Sequence, residues 1–182
     1  SQLDCRFLEL RHETPIAHPA LTKTVSEKVH MRLSLPKSIT ELRDSLKAKV
    51  RNQVKKGESQ GFTVHWGREE LLADFYAVFS RNMRDLGTPV YGRTLFEAIL
   101  DGFPTSAELC SLRDGKRPVA AALLIHGTTS TEVPSASSLR TENTRNPNML
   151  MYYHLLSRAI ERGQAVFDFG RSTPDGPTFR FK

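Results

Sequence analysis

The spacing of hydrophobic residues divides the first part of the chain into two strands and a helix. Short apolar runs predict strands at residues 5–10 and 30–35. Ser38 and Glu41 then have the spacing of a helix-capping box. An apolar stripe at helical spacing follows, formed by Ile39, Leu42, Leu46, Val50 and Val54. This pattern predicts a single helix over residues 39–56.

Two more helices are predicted in the middle of the chain. A short strand at residues 62–66 precedes an apolar stripe over residues 72–86, which ends at Gly87. A shorter helix is predicted at residues 94–103, with Thr94 as its N-cap.

The hydrophobic period then changes to that of strands. Runs at residues 107–112, 119–125 and 131–138 predict one antiparallel meander, and the apolar middle run predicts a strand buried on both faces. A fourth helix is predicted at residues 149–162 and a last strand at 165–169. We expect the fourth helix to pack across the meander.

Composition narrows the class of protein. A chain of 182 residues with 38% hydrophobic content is long enough for one full core. No apolar run has the roughly 20 residues of a membrane span, so we expect no span and a cytoplasmic location. Cys5 and Cys110 are expected to be buried free thiols. The net charge of +6 favours anionic partners.

The first candidate site is the loop before the fourth helix. Arg140 and Arg145 flank this junction, Asn146 is placed to cap the helix, and Pro147 suits its first turn. Helix N-terminal amides and the helix dipole favour an anion at such a junction. The alternative is an ordinary Asn-Pro cap.

The second candidate is a basic surface on the first predicted helix. Four cations recur at intervals of four residues: Arg43, Lys47, Arg51 and Lys55. On one continuous helix they form a single stripe, which suits the phosphates of a nucleotide or of tRNA. The alternative is a solvated helix face.

The third candidate is the end of the last strand. Alternation places Phe167 and Phe169 on one sheet face and Asp168 on the other. Arg171 and Ser172 follow at the C-terminal end, where substrates bind in open sheets. The planar guanidinium of Arg171 suits a carboxylate or phosphate, with Asp168 orienting it. The alternative is that Asp168 contacts Arg171 or the backbone and only fixes the turn.

The cysteines and histidines give little indication of a catalytic or metal site. Cys110 and His126 lie on successive strands, and a buried thiol beside a satisfied histidine is favoured over a nucleophile pair. The six histidines show no metal-ligand spacing, so no metal site is predicted.

Several short motifs in a fixed order carry a family resemblance. They are RNQVKKG at residues 51–57, LGTP at 86–89, NPNM at 146–149, and FDFGRS at 167–172 followed by Phe181-Lys182. Together they resemble Fem-like proteins, and within them the Fem-like acetyltransferases found with exopolysaccharide and exosortase systems. The resemblance implies the α/β fold of GNAT acyl-CoA N-acyltransferases, a mixed, mostly antiparallel sheet flanked by helices.

The resemblance also implies a domain organisation. Fem-like enzymes carry two tandem GNAT domains, so residues 1–36 are expected to be the end of a preceding domain or an edge of this one. Residues 37–182 are expected to be a transferase domain that is incomplete at its C-terminus. The open sheet edge would then be covered by the N-terminal strands or by a second copy in a homodimer.

The same resemblance implies roles for particular residues. Lys182 is implied at the reaction centre, where it stabilises charge on the acyl oxygen. Arg171 and Asp168 of the third candidate site are the other predicted catalytic residues. The junction before the fourth helix is implied to hold the donor's pyrophosphate. Residues expected to contact donor or substrate are Arg51, Lys55, Arg140, Arg145, Asn146, Asn148, Tyr152 and Ser172.

The donor and the acceptor define three functional hypotheses. Acetyl-CoA enzymes have glycines at the pyrophosphate junction, and no glycine lies between Leu139 and Leu150. This favours an aminoacyl-tRNA donor over acetyl-CoA, for transfer to an amine of a cell-envelope or polysaccharide precursor. The alternatives are a CoA-dependent N-acetyltransferase and a catalytically inactive domain that binds nucleic acid or serves as a scaffold.

Overall fold

The computed structural model describes residues 9–10, 14, 16–176 and 179. The strand predicted at residues 5–10 falls largely outside them. The strands are β1 (Val29–Ser34), β2 (Thr63–Gly67), β3 (Ala107–Asp114), β4 (Arg117–His126), β5 (Ser130–Ser138) and β6 (Val166–Ser172). The helices are α1 (Ile39–Ser45), α2 (Ala48–Glu58), α3 (Leu72–Asp85), α4 (Arg93–Gly102) and α5 (Pro147–Glu161). Two short 3-10 segments lie at Glu69–Leu71 and Arg140–Arg145.

The six strands form one sheet in the order β1-β6-β5-β4-β3-β2. The predicted meander is confirmed, because β3, β4 and β5 pair antiparallel in chain order. β5 and β6 pair in parallel, and β1 pairs antiparallel with β6 at the edge. The proposed division of the chain at residues 36 and 37 stays a prediction.

Helices cover both faces of the sheet, and the central strand is buried between them. One core contains residues of α1, α2 and α5, which lie against one face. A second core contains residues of α3 and α4 on the other face. Residues 119–124 of β4 are 0–1% exposed, as the continuous apolar run predicts. The predicted mixed, mostly antiparallel sheet flanked by helices is therefore confirmed.

The prediction of one helix over residues 39–56 is wrong. The chain leaves the helical conformation at Leu46, with φ −66° and ψ 138°, and α2 begins at Ala48. The guanidinium of Arg51 donates to the backbone oxygens of Leu46 and Asp44 at this break. Carbonyls at the end of a helix lack intrahelical donors, so Arg51 stabilises the break.

This break also divides the predicted basic stripe. Arg43 lies on α1, Lys47 lies in the break, and Arg51 and Lys55 lie on α2. Arg43 forms an ion pair with Glu58 at 3.0 Å. A single stripe of four cations is therefore absent.

The C-terminal end of α2 lies directly against the start of α5. A Cβ at Gly57 would lie 2.8 Å from Leu150 Cβ and 3.2 Å from the backbone oxygen of Asn146. Real Cβ atoms do not approach other atoms this closely, so the absence of a side chain at Gly57 permits the contact. The basic helix α2 is thereby fixed beside the first turn of α5.

We expect Gly57→Ala to lower the free energy of unfolding by about 1–3 kcal/mol, because its methyl group overpacks against Leu150. The matched control is Gly102→Ala near the end of α4, where a Cβ meets nothing within 4 Å. This control should keep or slightly raise stability, because alanine favours helix over glycine. Urea unfolding of both variants checks the prediction, and equal effects would contradict it.

Candidate functional site

The parallel strands β5 and β6 separate after a short paired stretch. They pair only at Ser130 with Val166, Thr131 with Phe167, and Glu132 with Asp168. Both strands continue beyond these pairs, β5 to Ser138 and β6 to Ser172. Residues 133–138 and 169–172 therefore border an opening in the sheet, which we call the β5–β6 gap.

A bulge in β5 lies where the gap begins. Leu123 pairs with Ser135 and Ile125 pairs with Glu132, so two residues of β5 lie opposite one residue of β4. One of the two is Pro134, which has no N–H to donate to a neighbouring strand. A bulge bends its strand and increases the local twist. These two features account for the end of the pairing with β6.

A second bulge lies in β6. Phe169 and Gly170 together lie opposite Met31 of β1, and Gly170 has a φ of 72°, which favours glycine. The extra residue shifts by one position the alternation of side chains between the two faces of the sheet. Arg171 therefore shares a sheet face with Asp168.

The chain runs from the end of β5 through the 3-10 segment Arg140–Arg145 into α5. Asn146 has the left-handed conformation, with φ 58° and ψ 39°, and its side chain forms no capping hydrogen bond. The prediction that this side chain caps the helix is therefore wrong. Pro147 occupies the first turn, as predicted. The first-turn amides of a helix lack intrahelical partners and attract an anion.

Aromatic and hydroxyl groups lie on the α5 side of the gap. The rings of Tyr152 on α5 and Phe169 on β6 are stacked, with centroids 5.8 Å apart. Burial raises the pKa of Tyr152 to about 12, so its hydroxyl is protonated at neutral pH. Ser172 is 4% exposed, and its Oγ has no hydrogen-bond partner among the residues that the structure describes.

Comparison with known families agrees with this geometry. Residues 44–182 match the family described as acetyltransferase (GNAT) domain. The chain belongs to the GNAT acetyltransferase domain family. The predicted Fem-like GNAT fold and the prediction of an acyltransferase domain are confirmed.

Solved structures show the same fold at low sequence identity. FemX has a TM-score of 0.76 and 17% identity, over 85% of this chain and 57% of FemX. The C-terminal domain (DUF2156) of a putative lysylphosphatidylglycerol synthetase from Agrobacterium fabrum has a TM-score of 0.56 and 13% identity, over 81% and 49% of the two chains.

L-PGS from Bacillus licheniformis also has a TM-score of 0.56, with 11% identity, over 82% of this chain and 48% of that protein. The chain thus spans about half the length of these three proteins. No curated protein sequence matches it significantly.

In this GNAT domain, Asp168 holds the bulge of β6. Its carboxylate accepts hydrogen bonds from Arg32 Nε at 2.9 Å and from the backbone N–H of Gly170 at 2.7 Å. His30 Nε2 lies 3.4 Å from the same carboxylate. The contact between Asp168 and the backbone is therefore present. Arg171 lies 3.9 Å from Glu9, and the catalytic roles of Arg171 and Asp168 stay predictions.

The two arginines that flank the junction differ in their surroundings. Arg145 donates to Asp114, to Glu142 at 3.1 Å and to Gln60 at 3.2 Å. The hydrogen bond to Asp114 raises the pKa of this guanidinium. Arg140 is exposed and forms no ion pair with any residue in the described part of the chain. Arg145 thus connects three segments, and phosphate contacts by both arginines stay predictions.

The remaining predicted contacts are distributed around α5 and α2. Asn148 is half-buried in the first turn of α5, and Lys55 is exposed on α2. Lys182 lies outside the described residues. Within those residues no helix is long and apolar enough to cross a membrane. No group of three His, Cys, Asp or Glu side chains there is placed to hold a metal ion.

Sequence reasoning missed a hydrogen bond across the other side of the gap. Asn82, in the last turn of α3, donates to Ser137 Oγ of β5 at 3.2 Å. Ser137 is 3% exposed. This bond fixes the separated half of β5 to α3. The signal in the sequence was a polar residue next to the apolar stripe of α3.

A buried charge cluster lies at the opposite end of α5 from the gap. Glu108 accepts two hydrogen bonds from Arg158, both at 2.8 Å, and lies 3.0 Å from His126 Nε2. Thr131 Oγ1 lies 2.8 Å from the other ring nitrogen of His126. The prediction of a satisfied histidine is confirmed, and Cys110 is a buried free thiol whose pKa is raised by burial. A cavity of 280 Å³ adjoins this cluster.

The charge cluster around Glu108 predicts how the free energy of unfolding depends on pH. Burial alone would raise the pKa of Glu108, but hydrogen bonds with His126 and Arg158 outweigh it and lower the pKa to about 2. A lowered pKa stabilises the fold above the ordinary value of 4.5, and this stability is lost as the pH falls towards 2. At pH 7, Glu108→Gln should lower the free energy of unfolding by on the order of 3 kcal/mol.

Urea unfolding at pH 7, 4 and 2.5 measures this effect, and the difference from wild type should shrink at the lowest pH. The matched control is Glu161→Gln, because Glu161 lies 3.6 Å from the same Arg158 but is 52% exposed. An exposed ion pair contributes little, so this control should stay close to wild type. Equal losses in the two variants would contradict the prediction.

Proposed function

We propose that this GNAT domain transfers an acyl or aminoacyl group to an amine of a cell-envelope or polysaccharide precursor. The observation that carries the proposal is the β5–β6 gap, which α5 borders through the stacked rings of Tyr152 and Phe169. In such a transfer the amine loses a proton and adds to an ester or thioester carbonyl. Positioning and stabilisation of the oxyanion supply most of the catalysis.

The start of α5 provides the place for the anionic part of the donor. Its first-turn amides and the helix dipole favour negative charge. Gly57 holds α2 against this turn, and Lys55 and Lys56 are exposed on α2. A donor with phosphates beyond a single pyrophosphate would reach these lysines. This arrangement supports aminoacyl-tRNA as the donor.

The loop before α5 gives a second argument for aminoacyl-tRNA as the donor. Residues 140–149 contain no glycine, so every residue there carries a side chain. Pyrophosphate approaches bare glycine amides more closely than amides beside side chains. CoA should therefore bind less well than at a glycine-rich junction.

The structural neighbours are consistent with this reaction class. FemX, a domain of a putative lysylphosphatidylglycerol synthetase and a protein named L-PGS share the fold. The name of the putative synthetase describes attachment of a lysyl group to a lipid. We extend to this chain only the class of reaction, the transfer of an acyl or aminoacyl group to an envelope component.

A CoA-dependent N-acetyltransferase is the second candidate function. The description of the matching family as an acetyltransferase domain favours it. The two candidates differ in the donor, so binding measurements separate them.

We expect tRNA to bind with a strongly salt-dependent affinity and CoA to bind weakly. Each phosphate contact adds about one unit to the slope of log affinity against log salt. The double variant Lys55→Gln/Lys56→Gln should reduce that slope by about two. The matched control, Lys23→Gln/Lys28→Gln, removes two exposed lysines from the segment before and at the start of β1. It should leave the slope unchanged.

Filter binding of tRNA and calorimetric titration of CoA measure these affinities. A low-micromolar CoA dissociation constant without tRNA binding would establish the acetyltransferase instead. Binding of tRNA without transfer to any amine would indicate a nucleic-acid-binding domain.

We expect Arg171→Lys to impair turnover while leaving stability nearly unchanged. Lysine keeps the charge but loses the planar pair of donors that suits a carboxylate or phosphate. A tenfold loss of turnover corresponds to about 1.4 kcal/mol of transition-state stabilisation. Asp168→Asn should instead lower the melting temperature, because Asp168 holds Arg32 and the backbone of Gly170. Kinetics and thermal unfolding of both variants check this, and normal turnover in Arg171→Lys would remove Arg171 from the site.

A further inference from the structure

The connection between α3 and α4 exposes large apolar side chains to solvent. The exposed fractions are 53% for Leu86, 40% for Val90, 66% for Tyr91 and 43% for Leu95. Other exposed large hydrophobic residues in the described part of the chain are Phe103 and residues between positions 10 and 33. We call residues 86, 90, 91 and 95 the α3–α4 patch.

The backbone holds this patch in a defined conformation. The N–H of Thr88 donates to the backbone oxygen of Met83 at 3.0 Å, and Tyr76 Oη donates to the backbone oxygen of Tyr91 at 3.1 Å. Gly87 has a φ of 67°, and the space around it is open. The apolar side chains are therefore directed outward by an ordered connection.

One end of the patch, Leu86, lies near the β5–β6 gap. Asn82 of α3 is hydrogen-bonded to Ser137 in the separated half of β5. Leu86 follows Asn82 by about one helical turn, and its N–H donates to the backbone oxygen of Asn82 at 3.0 Å. A surface that contacts Leu86 is consequently close to the gap.

Arginines flank the patch in the sequence. Arg81 pairs with Asp85 at 3.3 Å and Arg93 pairs with Glu97 at 3.1 Å, and both arginine side chains are about half exposed. Arg84 forms no ion pair with any described residue. Three arginines against two carboxylates leave these flanking segments positive. Aromatic residues and arginines with apolar stems are typical of side chains at the lipid–water interface.

The size of the patch favours a lipid surface over a protein partner. Four side chains that are 40–66% exposed present on the order of a few hundred Å² of apolar surface. A stable protein interface buries about 800 Å² on each partner. Binding to a membrane surface depends on a few inserted apolar side chains and on attraction to anionic headgroups.

We propose that the α3–α4 patch docks this domain onto the surface of an anionic phospholipid bilayer. Leu86, Val90, Tyr91 and Leu95 enter the interfacial region, and the arginines face the headgroups. The gap is then held close to amines that are attached to the membrane. This proposal is independent of transfer activity, because binding to vesicles requires no donor or acceptor.

The test is co-sedimentation of the full chain with phosphatidylcholine vesicles that contain or lack phosphatidylglycerol. We expect binding to the anionic vesicles, and at least a fivefold loss of binding in Val90→Ser/Tyr91→Ser. The matched control is Phe103→Ser, which removes a side chain that is 50% exposed at the other end of α4. This control should bind like wild type. An unchanged melting temperature in each variant shows that the fold is kept.

Three outcomes would overturn the proposal. The first is that wild type remains in the supernatant with both vesicle types, and the second is that Phe103→Ser loses as much binding as the patch variant. The third is a concentration-dependent dimer, seen by analytical ultracentrifugation, that the patch variant abolishes without any vesicle binding. A transfer assay with a water-soluble amine acceptor tests the proposed function separately. In that assay the patch variant should keep the turnover of wild type, because the acceptor is not attached to a membrane.

Discussion

The candidate site depends on the end of the hydrogen bonding between two parallel strands. β5 and β6 share three pairs and then separate, next to a bulge that contains Pro134. A proline cannot donate to a neighbouring strand, so continued pairing at this position would lack a donor. Because α5 follows β5 after one short segment, its first turn lies beside the resulting opening. The same local irregularity therefore places the helix terminus and separates the strands.

The hydrophobic period was sufficient to predict most of the elements but not the break between α1 and α2. The central strand was clear because its apolar run is buried on both faces. The break at Leu46 was hidden because the apolar residues on both sides keep helical spacing. It is stabilised by Arg51, whose side chain donates to the backbone at the break. A periodic pattern contains no information about such a contact.

The chemical roles of charged residues were harder to predict than their positions. Arg145 was expected to meet a phosphate, and in the structure it contacts Asp114 and Gln60, which are distant in sequence. Asn82 and Ser137, 55 residues apart, were missed because neither belongs to a recognisable motif. A sequence shows that a cation is near a junction, but the partners of that cation are set by the tertiary fold.

The two ends of α5 are held by different kinds of contact. Its last turn is anchored by the bidentate contact of Arg158 with Glu108, a charge-assisted interaction that tolerates little displacement. Its first turn rests on van der Waals contact with Gly57. Leu150 and Met151 near that turn are 2% and 0% exposed, so the core fixes this end as well. The spacing between the charge cluster and the gap is thus set by one helix of 15 residues, about 22 Å long.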